Sequence, residues 1–382
     1  MLHRAPVLFF LTVALAGCQS APLEPHARMP ERMQLSQGES GIWRDADDLD
    51  RRLERGGALH MDDQATRYVQ RVTDRLYPEF HGRVRVRLLT APTLNAFALP
   101  NGSIYMHIGL LARLENEAQL ATVLAHEGIH FTHRHSLQQH ESVKMTAGLL
   151  QATFIAAPVA GLIGATVASP LLYGYSRDLE READALGYER LVRAGYDPSE
   201  APKTFEHLAA EVKAHQIEES LIYASHPRLA ERIENLRTAH SGNAQGGERG
   251  AESFLAATRS VRLAALEGDL GRQRYQSVIL VLENEATRGR YPPEASYFLG
   301  EAYRQRARED DAVRAEQAYL AAVKTAPQYA PPYRALGIHR MKQKDYAGAR
   351  SYFERYLELA PDASDRAYVE SYRTQAIREA GK

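Results

Sequence analysis

Val123-Leu124-Ala125-His126-Glu127-Gly128-Ile129-His130-Phe131 carries the pattern His-Glu-x-x-His inside an apolar, helix-forming run. On a helix, residues four apart lie about 40° from each other around the axis, so His126 and His130 share one face. Two imidazoles on one face can grip a single zinc ion, and Glu127 stands one step round, within reach of a water beside the metal. Zinc lowers the pKa of such a water to about 7, and a neighbouring carboxylate takes its proton as the water attacks a carbonyl. The chain has 15 histidines in 382 residues. The short pattern alone therefore also fits a surface helix with two solvated histidines, and the rest of the chain has to decide.

Asn116 is a candidate cap, and the predicted helix starts there and runs past Ser136. His133, His135 and His140 follow. A metzincin needs glycine three residues past the second histidine and a third histidine ligand three further on. Those places hold His133 and Ser136, so that class is excluded. The extra histidines read as helix surface or as partners of the ligands rather than as ligands. A third protein ligand is still required. Ser176-Arg177-Asp178-Leu179-Glu180-Arg181-Glu182-Ala183-Asp184 offers one. Glu180 and Asp184 are four apart and share a helix face, so Glu180 can bind zinc while Asp184 hydrogen-bonds a ligating group. Glu182 points elsewhere. Taken alone, this stretch fits a solvated charged helix equally well.

Upstream, a helical run begins at Ile42 with Trp43, Leu49 and Leu53, and Gly56-Gly57 ends it. A second predicted helix spans Asp62 to Leu76, with Ala65, Tyr68, Val69, Val72 and Leu76 on one face. Arg83 to Leu89 alternates basic and apolar residues, as a half-exposed strand does. Asn95 to Met106 contains the turn signal Asn101-Gly102 between two strand-like pieces. An edge strand at Asn95, Ala96 and Phe97 beside the metal would let an extended peptide pair with it backbone to backbone. The other reading is a purely structural hairpin.

The chain opens with His3 and Arg4, then a nearly apolar stretch from Ala5 to Gly17, too short to span a bilayer. Its end, Leu15-Ala16-Gly17-Cys18, is similar to a bacterial lipobox, which implies cleavage before Cys18 and lipid on that residue. An ordinary signal peptide or a short buried helix are the alternatives. Gln19, where some lipoproteins carry aspartate, goes with outer-membrane sorting. Residues 18–41, rich in proline and glycine, read as a tether. Met145 to Tyr173 is almost uncharged. A single membrane crossing there would put His126 and Glu180 on opposite sides, and Pro158, Gly161, Gly164 and Pro170 interrupt it. A helical hairpin that is buried, lies over the site or touches membrane is expected instead. Net charge is −1, which gives no footprint for nucleic acid, and one cysteine excludes a disulfide framework.

Beyond the glycine-rich stretch 241–250, read as a flexible linker, the chain repeats. Tyr333, Leu336-Gly337, Ala349, Phe353 and Pro361 follow tetratricopeptide spacing. One unit back, Leu299-Gly300, Tyr303, Ala315, Tyr319 and Pro327 match it. A weaker unit falls between Phe254 and Ala286. Two clear units are few for an independent solenoid, so this region is expected to lean on the preceding domain.

The His126-Glu127-x-x-His130 motif, the stretch Asn95 to Pro100 and Ser176-Arg177-x-x-Glu180-x-x-x-Asp184 together resemble family forty-eight of the metallopeptidases. This is the gluzincin family of the CAAX prenyl protease, HtpX and the mitochondrial Oma-type protease. The resemblance covers residues 42–240. It implies one zinc per chain on His126, His130 and Glu180, with Glu127 as catalytic base. It also implies that Asp184 supports the site and that Asn95 lies near the substrate backbone. Ser225-His226-Pro227 matches a segment the family often shows before a terminal helix. For His226 three readings stay open: a transition-state donor, a fourth ligand that silences the site, or a packed loop residue.

The expected architecture is mainly α: an α+β zincin domain with a small sheet edge, then a tetratricopeptide solenoid from 251 to 382, after a signal peptide over 1–17. The implied function is a lipid-anchored periplasmic endopeptidase acting on misfolded or stalled envelope proteins, with the outer-membrane assembly machinery as a partner through the repeats. The rival is a chaperone or scaffold whose zinc site is silent.

Overall fold

The computed structural model describes residues 24–26, 37–140, 175–215, 229–241 and 246–381. Cys18, the apolar run 145–173 and His226 lie outside the described residues. Helix α1 (Gln37–Arg55) begins inside the stretch read as tether, and α2 (Asp63–Leu76) follows. Asp62 caps α2 by accepting from Ala65 N at 2.9 Å. Its apolar face is the expected one, with Ala65, Tyr68, Val69, Val72 and Leu76 all buried.

The sheet has three strands: β1 (Arg85–Leu89), β2 (Ala96–Ala98) and β3 (Ser103–His107) in the order β1-β3-β2. β1 runs parallel to β3 and β2 antiparallel to it, joined by a turn in which Gly102 takes φ +86°. Val84, Val86 and Leu88 face the core, as alternation requires. Helices α3 (Ile108–Arg113) and α4 (Glu117–Thr132) come next. Asn116 caps α4, accepting from Gln119 N at 2.9 Å.

α4 ends at Thr132, short of the expected extension past Ser136. Arg134 adopts φ +60° and breaks the helix there, and residues 135–140 are helical again. Glu39 of α1 grips Arg134 at 2.9 and 2.6 Å, which offsets the cost of that backbone conformation.

α5 (Arg177–Arg193), α6 (Glu200–His215) and α7 (Leu229–Ser241) pack around α4 and one another. Residues Ala118 to Thr132 of α4 are all buried, as expected for a helix enclosed on every side. Part of the stretch read as linker is fixed. Glu248 N donates to Gly195 O at 2.9 Å, and Asp197 N donates to Glu248 O at 3.0 Å.

The C-terminal region consists of α8 (Ala251–Ala257), α9 (Arg259–Gly271), α10 (Tyr275–Glu283), α11 (Glu285–Arg288), α12 (Ala295–Arg306), α13 (Asp311–Thr325), α14 (Pro331–Lys342), α15 (Tyr346–Leu359) and α16 (Arg366–Ala380). Successive helices stack in a solenoid-like manner. A Cβ on Gly300 would meet the Tyr319 ring at 2.4 Å, and one on Gly337 would meet Phe353 at 2.5 Å. The same close helix approach thus recurs in both clear units. Phe254, Ala257, Val261 and Ala265 belong to the core of the first domain, while Leu266 onward forms the next cluster. Arg262 spans the junction, donating to Ala112 O at 2.6 Å and Leu114 O at 2.7 Å. The expectation that the repeats lean on the first domain matches this seam. Among the described residues, no helix is long and apolar enough to cross a membrane.

Candidate metal centre

The position of α4 is set at its first turn. Asn116 and Gln119 both donate to the buried Glu200 carboxylate, at 2.8 and 2.9 Å, which locks the helix start to the head of α6. Midway, Gly128 lets the Tyr77 ring lie against the helix, and the Tyr77 hydroxyl donates to Ala125 O. On the opposite side Gly187 of α5 approaches the backbone of His126. This contact brings α5 close enough for Glu180 to reach the two histidines.

His126, Glu127 and His130 are 4 %, 2 % and 1 % exposed, which rules out the solvated surface helix. His126 Nε2 and His130 Nε2 lie 3.0 Å apart. Glu180 is 3.6 Å from each, through Oε2 to His126 and Oε1 to His130. Zinc bonds of about 2.0–2.1 Å at tetrahedral angles place ligand atoms roughly 3.3–3.5 Å apart. The three side chains therefore fit one zinc ion. They are the one cluster of metal-ligating type among the described residues, and His133, His135 and His140 are not in it.

The tautomer of His126 follows from its other nitrogen. Asp184 Oδ1 and Arg232 Nη2 both lie 2.9 Å from Nδ1. A guanidinium has no lone pair, so the carboxylate decides: Nδ1 carries the hydrogen, donates to Asp184, and leaves the Nε2 lone pair facing the ligand cluster. Burial pushes the Asp184 carboxyl up, but Arg232 and His126 outweigh it and hold the group at about 2. Burial, with Arg232 adding to it, pushes the His126 imidazole down. The ionised Asp184 draws the imidazole the other way, but burial and Arg232 outweigh it and keep the ring neutral, as a ligand must be.

His130 is supported on its other side. Its Nδ1 lies 2.9 Å from His135 Nδ1, and His135 Nε2 lies 3.6 Å from Glu182. The His135 ring beside it is the main cause holding the Glu182 carboxyl below its ordinary range. The break at Arg134 makes this possible, because a continuous helix would carry His135 round to another face. The Tyr175 ring stacks on His130, centroids 3.8 Å apart and planes 9° from parallel. Its hydroxyl meets Ser136 Oγ at 3.0 Å. Glu127 lies close enough to Tyr77 and Tyr175 for its charge to raise both phenols further after burial has done so.

Asn95, Ala96 and Phe97 lie on and beside β2, which packs near α4. His107 N donates to Asn95 O and Leu99 N to Ser103 O. By antiparallel alternation, the N–H and C=O of Ala96 and Ala98 then point away from β3. Among the described residues no strand pairs with that edge.

Arg232 and Tyr175 are the site residues that motif reading did not assign, while His135 is one of the extra histidines read as helix surface or as a partner of the ligands. His135 carried a signal in its position five residues past His130. Arg232 lies in a different helix, 48 residues beyond Asp184, and only the fold brings it there.

Residues 63–240 match Peptidase family M48. The chain is 35 % identical over 156 residues to a putative beta-barrel assembly-enhancing protease of Vibrio cholerae, covering 38 % of this chain and 32 % of that protein. It is 33 % identical over 156 residues to the mitochondrial metalloendopeptidase OMA1 of Schizosaccharomyces pombe, covering 40 % and 45 %. With the beta-barrel assembly-enhancing protease of Escherichia coli it shares 30 % over 161 residues, covering 39 % and 33 %. The chain thus spans less than half the length of these relatives. The match holds for relatives of both names and contains both ligand helices, α4 and α5. Residues 63–240 of this chain are thus similar to peptidase family M48, and His126, His130 and Glu180 form a gluzincin-type ligand set.

Proposed function

We propose that this chain is a zinc-dependent endopeptidase that cuts extended segments of misfolded or stalled envelope proteins. In this reading Cys18 carries the lipid that anchors it in the periplasm, at the outer membrane. The tetratricopeptide-like region holds substrate or outer-membrane assembly partners. The observation that carries the enzymatic part is the buried cluster of His126, His130 and Glu180, with Glu127 beside it. The leader sequence and the likeness to beta-barrel assembly-enhancing proteases support the envelope setting.

Zinc, when bound, supplies Lewis acidity to a water and to the scissile carbonyl. The protein does the rest. Glu127 accepts the proton of the attacking water and delivers it to the departing amine. Asp184 fixes His126, and His135 fixes His130, so neither ligand rotates away. In this reading the backbone groups of Ala96 and Ala98 that point away from β3 pair with substrate backbone irrespective of side chains, which suits unfolded chains. His226→Ala tests the three readings of His226 through zinc affinity and activity, and parent-like values in both leave only the packed loop residue.

The test uses a soluble form starting after Cys18. Zinc per chain and cleavage of an unfolded protein are measured with and without chelator, alongside Glu127→Gln. One zinc and cleavage in the parent, with zinc but no cleavage in Glu127→Gln, is the expected result. Zinc without cleavage in the parent favours the scaffold reading, and no zinc refutes the site.

A further inference from the structure

The ligand helices α4 and α5 are tied to α7 by one buried side chain. Arg232, 3 % exposed, reaches the Asp184 carboxylate three times: Nε to Oδ1 at 3.1 Å and Oδ2 at 3.2 Å, and Nη2 to Oδ1 at 2.8 Å. The same Nη2 lies 2.9 Å from His126 Nδ1, and Nη1 lies 3.9 Å from Glu180 Oε2. The Phe205 ring packs against the guanidinium at 4.1 Å from its centroid, which closes one of its faces to other partners. A carboxylate buried without a cation is costly, and one with a single partner can swing about its terminal bond. A planar fork that touches both oxygens removes that freedom.

We propose that Arg232 is a positioning residue of the zinc site, holding the Asp184 carboxylate in the orientation that accepts the His126 Nδ1 hydrogen and so aims Nε2 at the metal. Arg232 acts through Asp184 on His126, and so makes the seating of α7 a determinant of metal affinity. Arginine suits this place because lysine would offer a point charge without the two-oxygen grip. The surface contact between the same two helices is different in kind. Arg181 of α5 meets Glu231 of α7 at 2.6 Å in a half-exposed pair that leaves Asp184 untouched.

The inference rests on the zinc reading above, and the experiment separates the two. Zinc dissociation constants are measured by chelator competition at pH 7 on the chain starting after Cys18, with helix content checked by circular dichroism. If the parent binds no zinc, the zinc reading fails. If the parent binds, Arg232→Ala is expected to weaken zinc by about 10–100-fold, the range for loss of a group that orients a ligand. Arg232→Lys should recover part of that loss. Asp184→Asn should weaken zinc similarly, and the Arg232→Ala, Asp184→Asn double variant should be no worse than Asp184→Asn alone. Arg181→Ala should stay within about twofold of the parent, since an exposed pair contributes little. Parent-like affinity in Arg232→Ala overturns the proposal. So do additive losses in the double variant, or an equal loss in Arg181→Ala, which would make helix docking in general the cause. Should Arg232→Ala fail to fold, the cycle is run with Arg232→Lys, and full additivity there overturns it equally.

Discussion

Gly187 sits where α5 touches α4, and replacing it tests whether helix contact sets the ligand geometry. A Cβ at this position would lie 3.2 Å from His126 N and 3.3 Å from Ala125 C and His126 Cα. These are backbone atoms of an enclosed helix, so no side chain can rotate out of the way. Carbon contacts are comfortable at about 3.5–4.0 Å, so alanine must push the helices apart by a few tenths of an ångström. Glu180 lies seven residues back along the same rigid helix, about 10 Å away at 1.5 Å per residue. It moves with the push, and ligand distances tolerate only about ±0.2 Å. The overpacking itself costs about 1–3 kcal/mol, and each kcal/mol lowers Tm by about 2–4 °C for a domain of this size. Gly187→Ala should therefore lower the zinc-free Tm by several degrees and shrink the Tm gain from zinc. Gly187→Val, with a branched side chain, should abolish that gain. The assay is thermal unfolding in excess chelator and at graded free zinc, where the increment reports affinity. An unchanged zinc-free Tm together with an unchanged increment in Gly187→Ala would refute the reasoning.

Arg262→Met should lower the urea midpoint, because it leaves Leu114 O without its buried donor, a loss of about 1–3 kcal/mol; an unchanged midpoint would show that the seam does not depend on this arginine. Asp269→Asn should cost about 3–5 kcal/mol in the same assay, since it strips the buried Arg113, 2.7 Å away, of its counter-charge. Little salt dependence of that loss is expected, because the pair is shielded from solvent. His107, 2.6 Å from Thr93 Oγ1 through Nδ1, is pushed down to about 4 by burial and then by Arg272. The unfolded chain, with an ordinary histidine pKa near 6.5, then binds more protons between those values than the folded one does. Its contribution to stability is whole above about pH 6.5 and is lost as pH falls towards 4. Unfolding in chelator at pH 7.5, 6 and 5 should show a shallower decline in His107→Asn than in the parent, and equal slopes would contradict this. Chelation of the parent should lower Tm without loss of helix content, because the ligands sit in a core built from apolar contacts rather than from the metal.

What could be read before the fold was known follows from how far each interaction reaches along the chain. His126, Glu127 and His130 lie within one turn and a half, so helical periodicity alone puts them on adjoining faces. Glu180 and Asp184 are legible by the same periodicity once a third ligand is sought, although they are separated from the histidines by 50 residues of sequence. The hairpin over Asn95 to Met106 is announced by Asn101-Gly102, and the buried face of α2 by its apolar spacing. The end of α4 was not legible. His133 and Arg134 carry no breaking signal, and the left-handed turn at Arg134 depends on Glu39, 95 residues earlier. Arg232 was hidden for a similar reason: in sequence it is one of several charged residues on an amphipathic helix.

The structure makes a distinction here that composition cannot. Arg181 and Arg232 both join α5 to α7 through a carboxylate, at 2.6 and 2.8 Å. Water competes for the first pair and screens it, so its worth is small. The second is sealed beneath Phe205 and against the metal ligands, where removing either partner strands a charge. The side chains that hold a ligand in place are thus selected by burial, which is a property of the fold. The ligands themselves are selected by spacing, which is a property of the sequence. This is why the chemistry of this site could be read from its motifs while the groups that give it rigidity could not.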